Sequence, residues 1–444
     1  MKDLTLPPFD YKPKPYTGPS AAEVAAMRSA HVSPGIFTYY KKPIMIVEGK
    51  MQYLFDENGR RYLDAFGGIV TVSVGHCHPK VVAALNAQNE TIQHTTTIYL
   101  NPKIAEYAKA LASKMPGDLK VCYFTNSGSE ANDLAVLMSR LYTNNWDIVA
   151  LRNCYHGGSQ STMGLTSHST WKFNVPHSFG VHHAIAPDLY RGRWTGADSG
   201  QNYADDVKNV IDYTTPGKIA AYIAESIQGV GGTVVFPEGY LKGAYAHARA
   251  AGGLCIADEV QAGFGRTGTH YWGFETQGVI PDIVTMAKGI GNGFPLAAVV
   301  TTPEIAKTLA QRIHFNTYGG NPMASAQGLA VLQVIEEEGI QANALERGQQ
   351  LSDGLRKLQE KHSVIGDIRG LGLMIGVDLV KDRTTKEPAK EACLAVFERC
   401  RELGVLIGKG GFHGNVLRVK PPMCITAADV DYLLDVLDQS FAGL

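Results

Sequence analysis

The chain has 444 residues, 45% of them hydrophobic, which is enough for a large buried core and favours two substructures. Its 41 lysines and arginines nearly balance its 42 aspartates and glutamates, so charge gives no indication of nucleic acid or an anionic membrane as a partner. The seven cysteines are scattered and never spaced CxxC, which argues against a disulfide scaffold or a zinc site and favours a reducing compartment.

The N-terminal part predicts an extended arm followed by a hairpin. Residues 1–19 are rich in Pro, Lys and Tyr, and they show neither a secretory signal nor a transit peptide. The motif Ser20-Ala-Ala-Glu23 fits a capping box that starts a short helix, although a chance match is equally compatible. Strands are predicted at Ile44–Phe55 and Arg61–Phe66, because an Asn-Gly turn lies between them.

From about residue 79 to 340, short apolar runs alternate with helical stretches. Such alternation is typical of a mainly parallel α/β sheet covered by helices on both faces. The predicted strands are Val121–Phe124, Asp147–Leu151, Ala220–Ile223, Leu254–Ala257, Ile283–Met286 and Ala297–Thr301. No run approaches the ~18 apolar residues that are needed to cross a bilayer.

Residues 341–444 change rhythm and predict a smaller α+β domain. The predicted elements are helix Ala342–Lys361, strand Gly372–Leu379, helix Ala389–Leu403, strands Val405–Ile407 and Val416–Val419, and helix Ala427–Phe441. We therefore expect three segments: an arm and hairpin at 1–75, a large domain at 76–340, and a C-terminal small domain at 341–444. The hairpin is expected to join the small domain, because both lie outside the alternating core.

Two of the predicted buried strands end close to a charged side chain. Lys288 follows the run that begins at Asp282, and glycines come directly after it; Asp258 ends the run that begins at Gly253. Either residue alone is more simply explained as a solvated lysine or a helix cap. Together they favour a pyridoxal phosphate (PLP) site, because this cofactor needs an amine that binds it covalently and a carboxylate that pairs with its ring nitrogen.

A Gly/Ser turn supplies a second element of such a site. Thr125-Asn-Ser-Gly128-Ser129 follows a predicted strand and opens a helix with an apolar stripe from Leu134 to Leu141. Free amides at a helix N-terminus bind anions such as phosphate, although an ordinary helix cap explains the same spacing about as well. Tyr155 follows another strand and could stack on a cofactor ring, or be one aromatic residue at the core edge.

Three other patterns do not support the functions that they first suggest. The glycines in 289–293 and 370–376 lack the G-x-G-x-x-G spacing of a dinucleotide site, and no Gly-Lys-Ser/Thr follows the turn at Gly128. His76-Cys-His78 cannot easily converge on one metal from adjacent positions, so a structural role is favoured for both histidines.

The order of several motifs resembles the class III (ornithine and ω-amino-acid type) aminotransferases of PLP fold type I, from about residue 35 to the C-terminus. The motifs are Tyr62-Leu-Asp64, Gly75-His-Cys-His-Pro79, Asn126-Ser-Gly-Ser-Glu130, Tyr155-His-Gly157, Ile227-Gln-Gly229, Asp258-Glu-Val-Gln261, Lys288-Gly289 and Thr317-Tyr-Gly-Gly-Asn-Pro322. Within that family, stretches 69–79, 282–293 and 404–411 are most similar to the mitochondrial, plant-like alanine–glyoxylate type.

The resemblance implies a role for each matching position. Lys288 would hold PLP covalently, Asp258 would pair with the ring nitrogen, and Gln261 would lie near the ring hydroxyl. The remaining implied roles are phosphate binding by Gly128 and Ser129, ring stacking by Tyr155, support by Glu225, phosphate binding by Thr317 of a neighbouring subunit, and substrate carboxylate binding by Arg418.

Two departures from the ornithine-type pattern point to small substrates. Many ornithine- and GABA-type members have a second glutamate just after Ile-Gln-Gly, which can pair with the substrate-binding arginine; this chain has Val230 there. Ornithine-type members also favour a tyrosine where this chain has Ile69. The resemblance therefore implies amino donors such as alanine and acceptors such as glyoxylate or pyruvate.

The sequence thus predicts a PLP-dependent aminotransferase with ping-pong kinetics, assembled as a homodimer or homotetramer. Alternatives are another ω-amino-acid:2-oxo-acid aminotransferase, a PLP-dependent phospho-lyase acting on small phosphorylated amines, and a non-catalytic protein on the same scaffold. The intact pair of Lys288 and Asp258 argues against the last. The resemblance implies a mitochondrial location, with the cytoplasm as the alternative.

Overall fold

The computed structural model describes residues 4–177 and 179–444. Its strands are β1 Ile46–Lys50, β2 Tyr53–Asp56, β3 Arg61–Asp64, β4 Val121–Thr125, β5 Ile148–Leu151, β6 Val181–Ala184, β7 Ala221–Glu225, β8 Ile227–Gln228, β9 Val234–Val235, β10 Leu254–Asp258, β11 Ile283–Met286, β12 Ala297–Thr301, β13 Ile365–Leu371, β14 Met374–Leu379, β15 Val405–Leu406, β16 Gly408–Gly410 and β17 Val416–Val419.

Thirteen α-helices accompany these strands in the described residues. They are α1 Ala21–His31, α2 Gly67–Val70, α3 Pro79–Thr91, α4 Pro102–Ala112, α5 Gly128–Thr143, α6 Gln160–Leu165, α7 Ser199–Thr214, α8 Tyr240–Ala250, α9 Pro303–Ala306, α10 Pro322–Glu337, α11 Ile340–Lys361, α12 Lys390–Glu402 and α13 Ala427–Ala442. None of them is long and apolar enough to cross a membrane.

A seven-stranded sheet forms the centre of the molecule, in the order β4-β12-β11-β10-β7-β5-β6. All neighbours run parallel except β12, which is antiparallel to both β4 and β11. The prediction of a mainly parallel sheet covered by helices is confirmed. The edge strand β6 was not predicted, because its sequence Val-His-His-Ala is half polar and its histidines are only half-buried.

The register of the central strands brings charged residues to one edge of this sheet. Asp258 is paired with Glu225 on one side of β10 and with Thr285 on the other. Lys288 lies two residues beyond the end of β11. Since β7, β10 and β11 are parallel, their carboxyl ends deliver all these side chains to the same crevice, where ligands of open α/β sheets bind.

Two four-stranded sheets flank the centre. One has the order β1-β2-β3-β15 and joins the N-terminal strands to the C-terminal segment through the parallel pair Leu63–Val405. The other has the order β13-β14-β17-β16 and carries Arg418 on β17. This second sheet meets the crevice edge of the central sheet, because the Arg418 guanidinium reaches the Gly229 carbonyl.

The prediction of one strand at Ile44–Phe55 is wrong. The segment folds back on itself as β1 and β2, which pair antiparallel about Met51 and Gln52. Met51 adopts a left-handed conformation (φ 51°) and exchanges backbone hydrogen bonds with His76. The local alternation of apolar and polar residues cannot predict this long-range contact.

The predicted strand Gly372–Leu379 is observed as β14, but the strand that precedes it was not predicted. The chain turns at Gly372, so that β13 and β14 form an antiparallel pair. Strand β13 escaped prediction because its sequence, Ile-Gly-Asp-Ile-Arg-Gly-Leu, mixes glycine and charge with its apolar residues. The capping box at Ser20 is confirmed: its side chain accepts from the Glu23 amide, and the Glu23 carboxylate accepts from the Ser20 amide.

Candidate active site

A cavity of about 160 Å³ lies at the carboxyl edge of the central sheet. It is lined by Ser127, Gly128, Ser129, Asn132, Tyr155, His156, Gly157, Glu225, Asp258, Val260, Gln261, Ala287 and Lys288. Seven residues predicted from the sequence are therefore brought together: Gly128, Ser129, Tyr155, Glu225, Asp258, Gln261 and Lys288. The roles of the individual residues remain predictions.

Lys288 stands directly after β11 in a left-handed backbone conformation (φ 53°), where a non-glycine residue is uncommon. Burial lowers the pKa of its amine, and the charge of Arg418 acts in the same direction, while Asp258 and Glu225 oppose the shift. An amine with a lowered pKa is more often neutral near pH 7. It is therefore a better nucleophile and proton acceptor than a solvated lysine.

Asp258 is held by donors on three sides. It accepts from His156 Nδ1 at 2.7 Å, from Asn132 Nδ2 at 2.9 Å and from the Val260 amide at 3.1 Å. Burial acts to raise the pKa of Asp258, but these hydrogen bonds and the His156 charge outweigh it, so the net pKa is lowered. The side chain is thus kept as a carboxylate inside the cavity, although it is only 3% exposed.

The N-terminus of α5 forms the other end of the cavity. Ser127 caps the helix by accepting from the Glu130 amide, and Gly128 and Ser129 are its first two residues. The Gly158 amide donates to Ser129 Oγ at 3.2 Å. A Cβ atom at Gly157 would approach the same Oγ to 2.4 Å, so this position requires glycine. Free helix amides and a hydroxyl at this end are groups suited to binding an anion.

Glu225 connects two loops at the edge of the cavity by hydrogen bonds. Its two oxygens accept from the amides of Tyr155, at 3.0 Å, and Gly229, at 2.8 Å. Burial raises the pKa of this carboxyl group. Gln261 lies against the same loop, since a Cβ atom at Gly229 would approach its Oε1 to 2.4 Å.

Arg418 lies next to the cavity without lining it. Its Nη1 donates to the Gly229 carbonyl at 3.2 Å and its Nε to the Lys409 carbonyl at 3.2 Å. The residue is 6% exposed, and its guanidinium carbon lies 5.3 Å from the centre of the Phe66 ring. Within residues 4–177 and 179–444, no carboxylate forms an ion pair with it. Its partners, these two carbonyls and the Tyr39 hydroxyl, include no carboxylate, so its charge is available to an anionic ligand.

Thr317 is the one predicted site residue that the structure places away from the others. It is exposed, lies in an irregular segment before α10, and does not line the cavity of its own subunit. Its role across a subunit boundary remains a prediction.

The sequence analysis missed two residues in contact with Asp258. Asn132 is the fifth residue of α5, and its Oδ1 also accepts from Thr285 Oγ1 at 2.7 Å. His156 stands beside Tyr155, the residue that was singled out. A signal was present, because polar residues one helical turn after an anion-binding Gly/Ser turn, or just beyond a buried strand, face the same crevice.

The residues present fit PLP. An ionised carboxylate, a buried amine and an anion site face one cavity, which matches a ring nitrogen, an aldehyde and a phosphate.

The two histidines near residue 77 are engaged elsewhere: His76 Nε2 lies 2.7 Å from Asp64 and His78 Nε2 lies 3.1 Å from Glu338.

Comparison with known proteins agrees with this chemistry. Residues 38–441 match the family model described as aminotransferase class-III. The chain is 57% identical to alanine–glyoxylate aminotransferase 2 homolog 2, mitochondrial, of Arabidopsis thaliana, covering 99% of this chain and 91% of that protein. It is 46% identical to alanine–glyoxylate aminotransferase 2, mitochondrial, of Homo sapiens, covering 97% and 88% respectively.

Solved structures share the whole fold. A phospholyase from Arthrobacter, in complex with phosphoethanolamine, superimposes with a TM-score of 0.89 at 35% identity, covering 95% of this chain and all of that one. An amine transaminase from an uncultivated Pseudomonas species, in a PLP-bound form, gives a TM-score of 0.86 at 31% identity, covering 93% and 98% respectively.

Proposed function

The chain belongs to the class III aminotransferases, a family of PLP-dependent enzymes, and on that premise we propose that it transfers the amino group of alanine to glyoxylate or pyruvate. The observation that carries the substrate half of this proposal is the buried Arg418, whose hydrogen-bond partners are two carbonyl oxygens and the Tyr39 hydroxyl, none of them a carboxylate. The names of the relatives at 57% and 46% identity support the same substrates.

A guanidinium beside the cavity suits a substrate with a carboxylate close to its reacting carbon. Two parallel N–H donors can bind both oxygens of such a carboxylate. In the position after Gly229 the chain has Val230, which brings no carboxylate to compete for Arg418. A small 2-amino or 2-oxo acid therefore meets an arginine that is free to bind it.

When bound, PLP supplies an electron sink that stabilises negative charge on the substrate α-carbon. The Asp258 carboxylate, held by His156 and Asn132, keeps a proton on the ring nitrogen. The Lys288 amine accepts the α-proton of the amino donor and, in the second half of a ping-pong cycle, delivers a proton to the α-carbon of the acceptor. Arg418 holds the carboxylate of each substrate in turn.

A panel of amino donors tests the proposal. With glyoxylate as acceptor, we expect alanine to have a higher kcat/KM than ornithine, because Arg418 suits a carboxylate next to the reacting carbon, whereas the carbon that carries the δ-amine of ornithine is far from its carboxylate. If ornithine is the best donor, the substrate assignment is wrong. Release of inorganic phosphate from phosphoethanolamine without any 2-oxo acid would favour a phospho-lyase, the activity named for the Arthrobacter neighbour.

The same proposal includes a homodimer. Thr317 lies in a segment whose neighbours Ile313, Phe315 and Tyr318 are 98%, 52% and 63% exposed, and His94 packs against Tyr318 at 5.6 Å between ring centres. Leu100, in the adjoining segment, is fully exposed. Such an apolar surface fits a second copy of the chain, which would bring its Thr317 to the phosphate end of the cavity. Light scattering that gave a single-subunit mass for fully active protein would contradict this.

We also propose a mitochondrial location, which rests on the names of the plant and human relatives. The division into segments 1–75, 76–340 and 341–444 remains part of the proposal.

A further inference from the structure

A buried lysine beside the cavity has no place in the chemistry described so far. Lys420 has no exposed surface, and it is among the largest fully buried side chains of the described residues. Its Nζ donates to Gln261 Oε1 at 3.2 Å. Gln261 in turn lines the cavity that holds Lys288 and Asp258. The lysine is therefore one side chain removed from the cofactor.

The backbone fixes where this amine lies. Lys420 comes directly after β17, two residues after Arg418. Its amide donates to the Ala65 carbonyl at 2.8 Å, and its carbonyl lies 3.0 Å from where a Cβ atom of Gly67 would be. Pro421, the next residue, accepts from the buried Arg266. The lysine thus has little freedom to move away from Gln261.

We propose that Lys420 is a positioning residue: its amine holds Oε1 of Gln261, so that the NH₂ group of this amide is presented to the cofactor. The proposal rests on the proposed function, because Gln261 matters only if PLP occupies the cavity. An amide can bind in two orientations, with oxygen and nitrogen exchanged. In the structure the N–H groups of the lysine amine face the amide oxygen, and in this orientation the NH₂ group of the amide faces the other way.

The electrostatic surroundings favour an amine that acts as a donor without carrying charge. Burial lowers the pKa of Lys420 well below its ordinary value, the charges of Arg418, Lys288 and Arg266 lower it further, and Glu225 acts in the opposite direction. A neutral amine can donate to Gln261 without leaving a buried charge unpaired. Methionine, which is similar in length and apolar, removes the donor while filling the space.

A double-mutant cycle on PLP binding to the apoenzyme tests the proposal. Lys420→Met should weaken PLP binding about tenfold, the size of one hydrogen bond, and should shift the visible absorbance of the bound cofactor. In a Gln261→Leu background, Lys420→Met should change the Kd for PLP by less than about twofold, because the lysine acts through Gln261. Equal weakening in both backgrounds, or none in either, overturns the proposal.

Lys409→Met is the matched control. Lys409 lies on the neighbouring strand β16, and burial lowers its pKa too, but its amine stands 4.6 Å from the Tyr39 ring and not at Gln261. Its effect on the Kd for PLP should therefore be the same with and without Gln261→Leu. Non-additivity for Lys409 as large as that for Lys420 would overturn the specific role of Lys420.

If Lys420→Met alone does not fold, the proposal is tested by thermal melting of the PLP-free protein. The comparison is then between Gln261→Leu and the double variant. Gln261→Leu leaves a buried amine without its acceptor, so the double variant should melt above Gln261→Leu. A double variant that melts lower contradicts the contact. Neither measurement depends on the amino donor, so a failed donor panel and a failed Lys420 cycle are distinguishable.

Discussion

The two sides of the active site are built in different ways. The cofactor side is a set of strand ends of one sheet, where Asp258 accepts hydrogen bonds from His156 and Asn132 and all three side chains are buried. The proposed substrate side is Arg418, which comes from a different sheet and donates to two carbonyl oxygens at 3.2 Å. The hydrogen-bonded network around Asp258 suits a step that is the same for every substrate. The Arg418 guanidinium has no carboxylate partner, so it can discriminate among substrates by their carboxylates.

The difference also explains which property each side controls. Changes on the cofactor side should lower the rate for every amino donor, because they act on the stabilisation of charge in the transition state. Changes on the substrate side should alter KM and the ranking of donors, because they act on binding of the carboxylate. The following variants test that separation.

Lys288→Ala should have the largest effect. The variant lacks both the covalent attachment of PLP and the amine that moves the α-proton, so turnover should fall below detection with every donor while the fold persists. Borohydride reduction of the unmodified holoenzyme, followed by peptide mapping, should place the cofactor on Lys288. Labelling of another lysine would contradict the assignment.

Asp258→Asn should lower kcat by about 10²–10³-fold, since an amide cannot keep a proton on the ring nitrogen. The effect should be similar for alanine and for poorer donors, because it belongs to the cofactor side. Steady-state kinetics with PLP saturation checked by absorbance provide the measurement. A loss confined to one donor would break the separation between the two sides.

Arg418→Leu should raise KM for both alanine and glyoxylate at least tenfold and lower kcat less, because each substrate loses a charge-assisted pair of hydrogen bonds. Initial rates at varied concentrations of each substrate will show whether the effect is on KM. Unchanged alanine kinetics would remove Arg418 from the substrate side.

Val230→Glu also changes the substrate side, by adding a carboxylate instead of removing the guanidinium. A glutamate there should pair with Arg418 and depress the use of alanine, and added salt should reduce the effect if the pair is partly exposed. The PLP affinity should remain as in the unmodified enzyme. A fall in PLP affinity would mean that the two sides are not separate.

The smallest effect concerns stability, and it contrasts Asp258 with its neighbour Glu259. Burial raises the pKa of Glu259 to about 7, against the hydrogen bonds that it accepts from Ser226 and the amides of Gly273 and Phe274. The unfolded chain ionises at lower pH, so this contribution to the free energy of unfolding is full below about pH 4.5. It is lost as pH rises to about 7.

Glu259→Gln should therefore make Tm depend less steeply on pH between 5 and 7. Over this range the free energy of unfolding should lose a pH-dependent contribution on the order of 3 kcal/mol. Scanning calorimetry across this range makes the comparison, with Glu90→Gln, an exposed position on α3, as the control. An unchanged slope in Glu259→Gln would show that Glu259 is ionised in the fold, like Asp258.

The sequence predicted the cofactor side from local patterns, and it did so for a physical reason. Buried parallel strands are short apolar runs, and the polar residues that end them meet at one edge, so the spacing of these runs along the chain is enough to pair Lys288 with Asp258. Arg418 could be named only through the family resemblance. Its position depends on how β17 meets the central sheet, which no local pattern encodes.

The errors have the same origin. The long strand predicted at residues 44–55 fails because Met51 pairs with His76, and the role of Lys420 was not predicted because it depends on a contact with Gln261, 159 residues away. Local periodicity reports which face of an element is buried. It does not report which distant residue will cover that face.

The parallel pairing of β3 with β15 has a consequence for the synthesis of the chain. Leu63 and Val405 are neighbours in the sheet but are separated by most of the polypeptide. During synthesis on the ribosome, the edge of β3 that pairs with β15 therefore stays unpaired until almost the whole chain has been made. Unpaired strand edges are the segments most prone to aggregate during folding. We expect chaperone dependence in this enzyme to come from its first strands rather than from its central sheet.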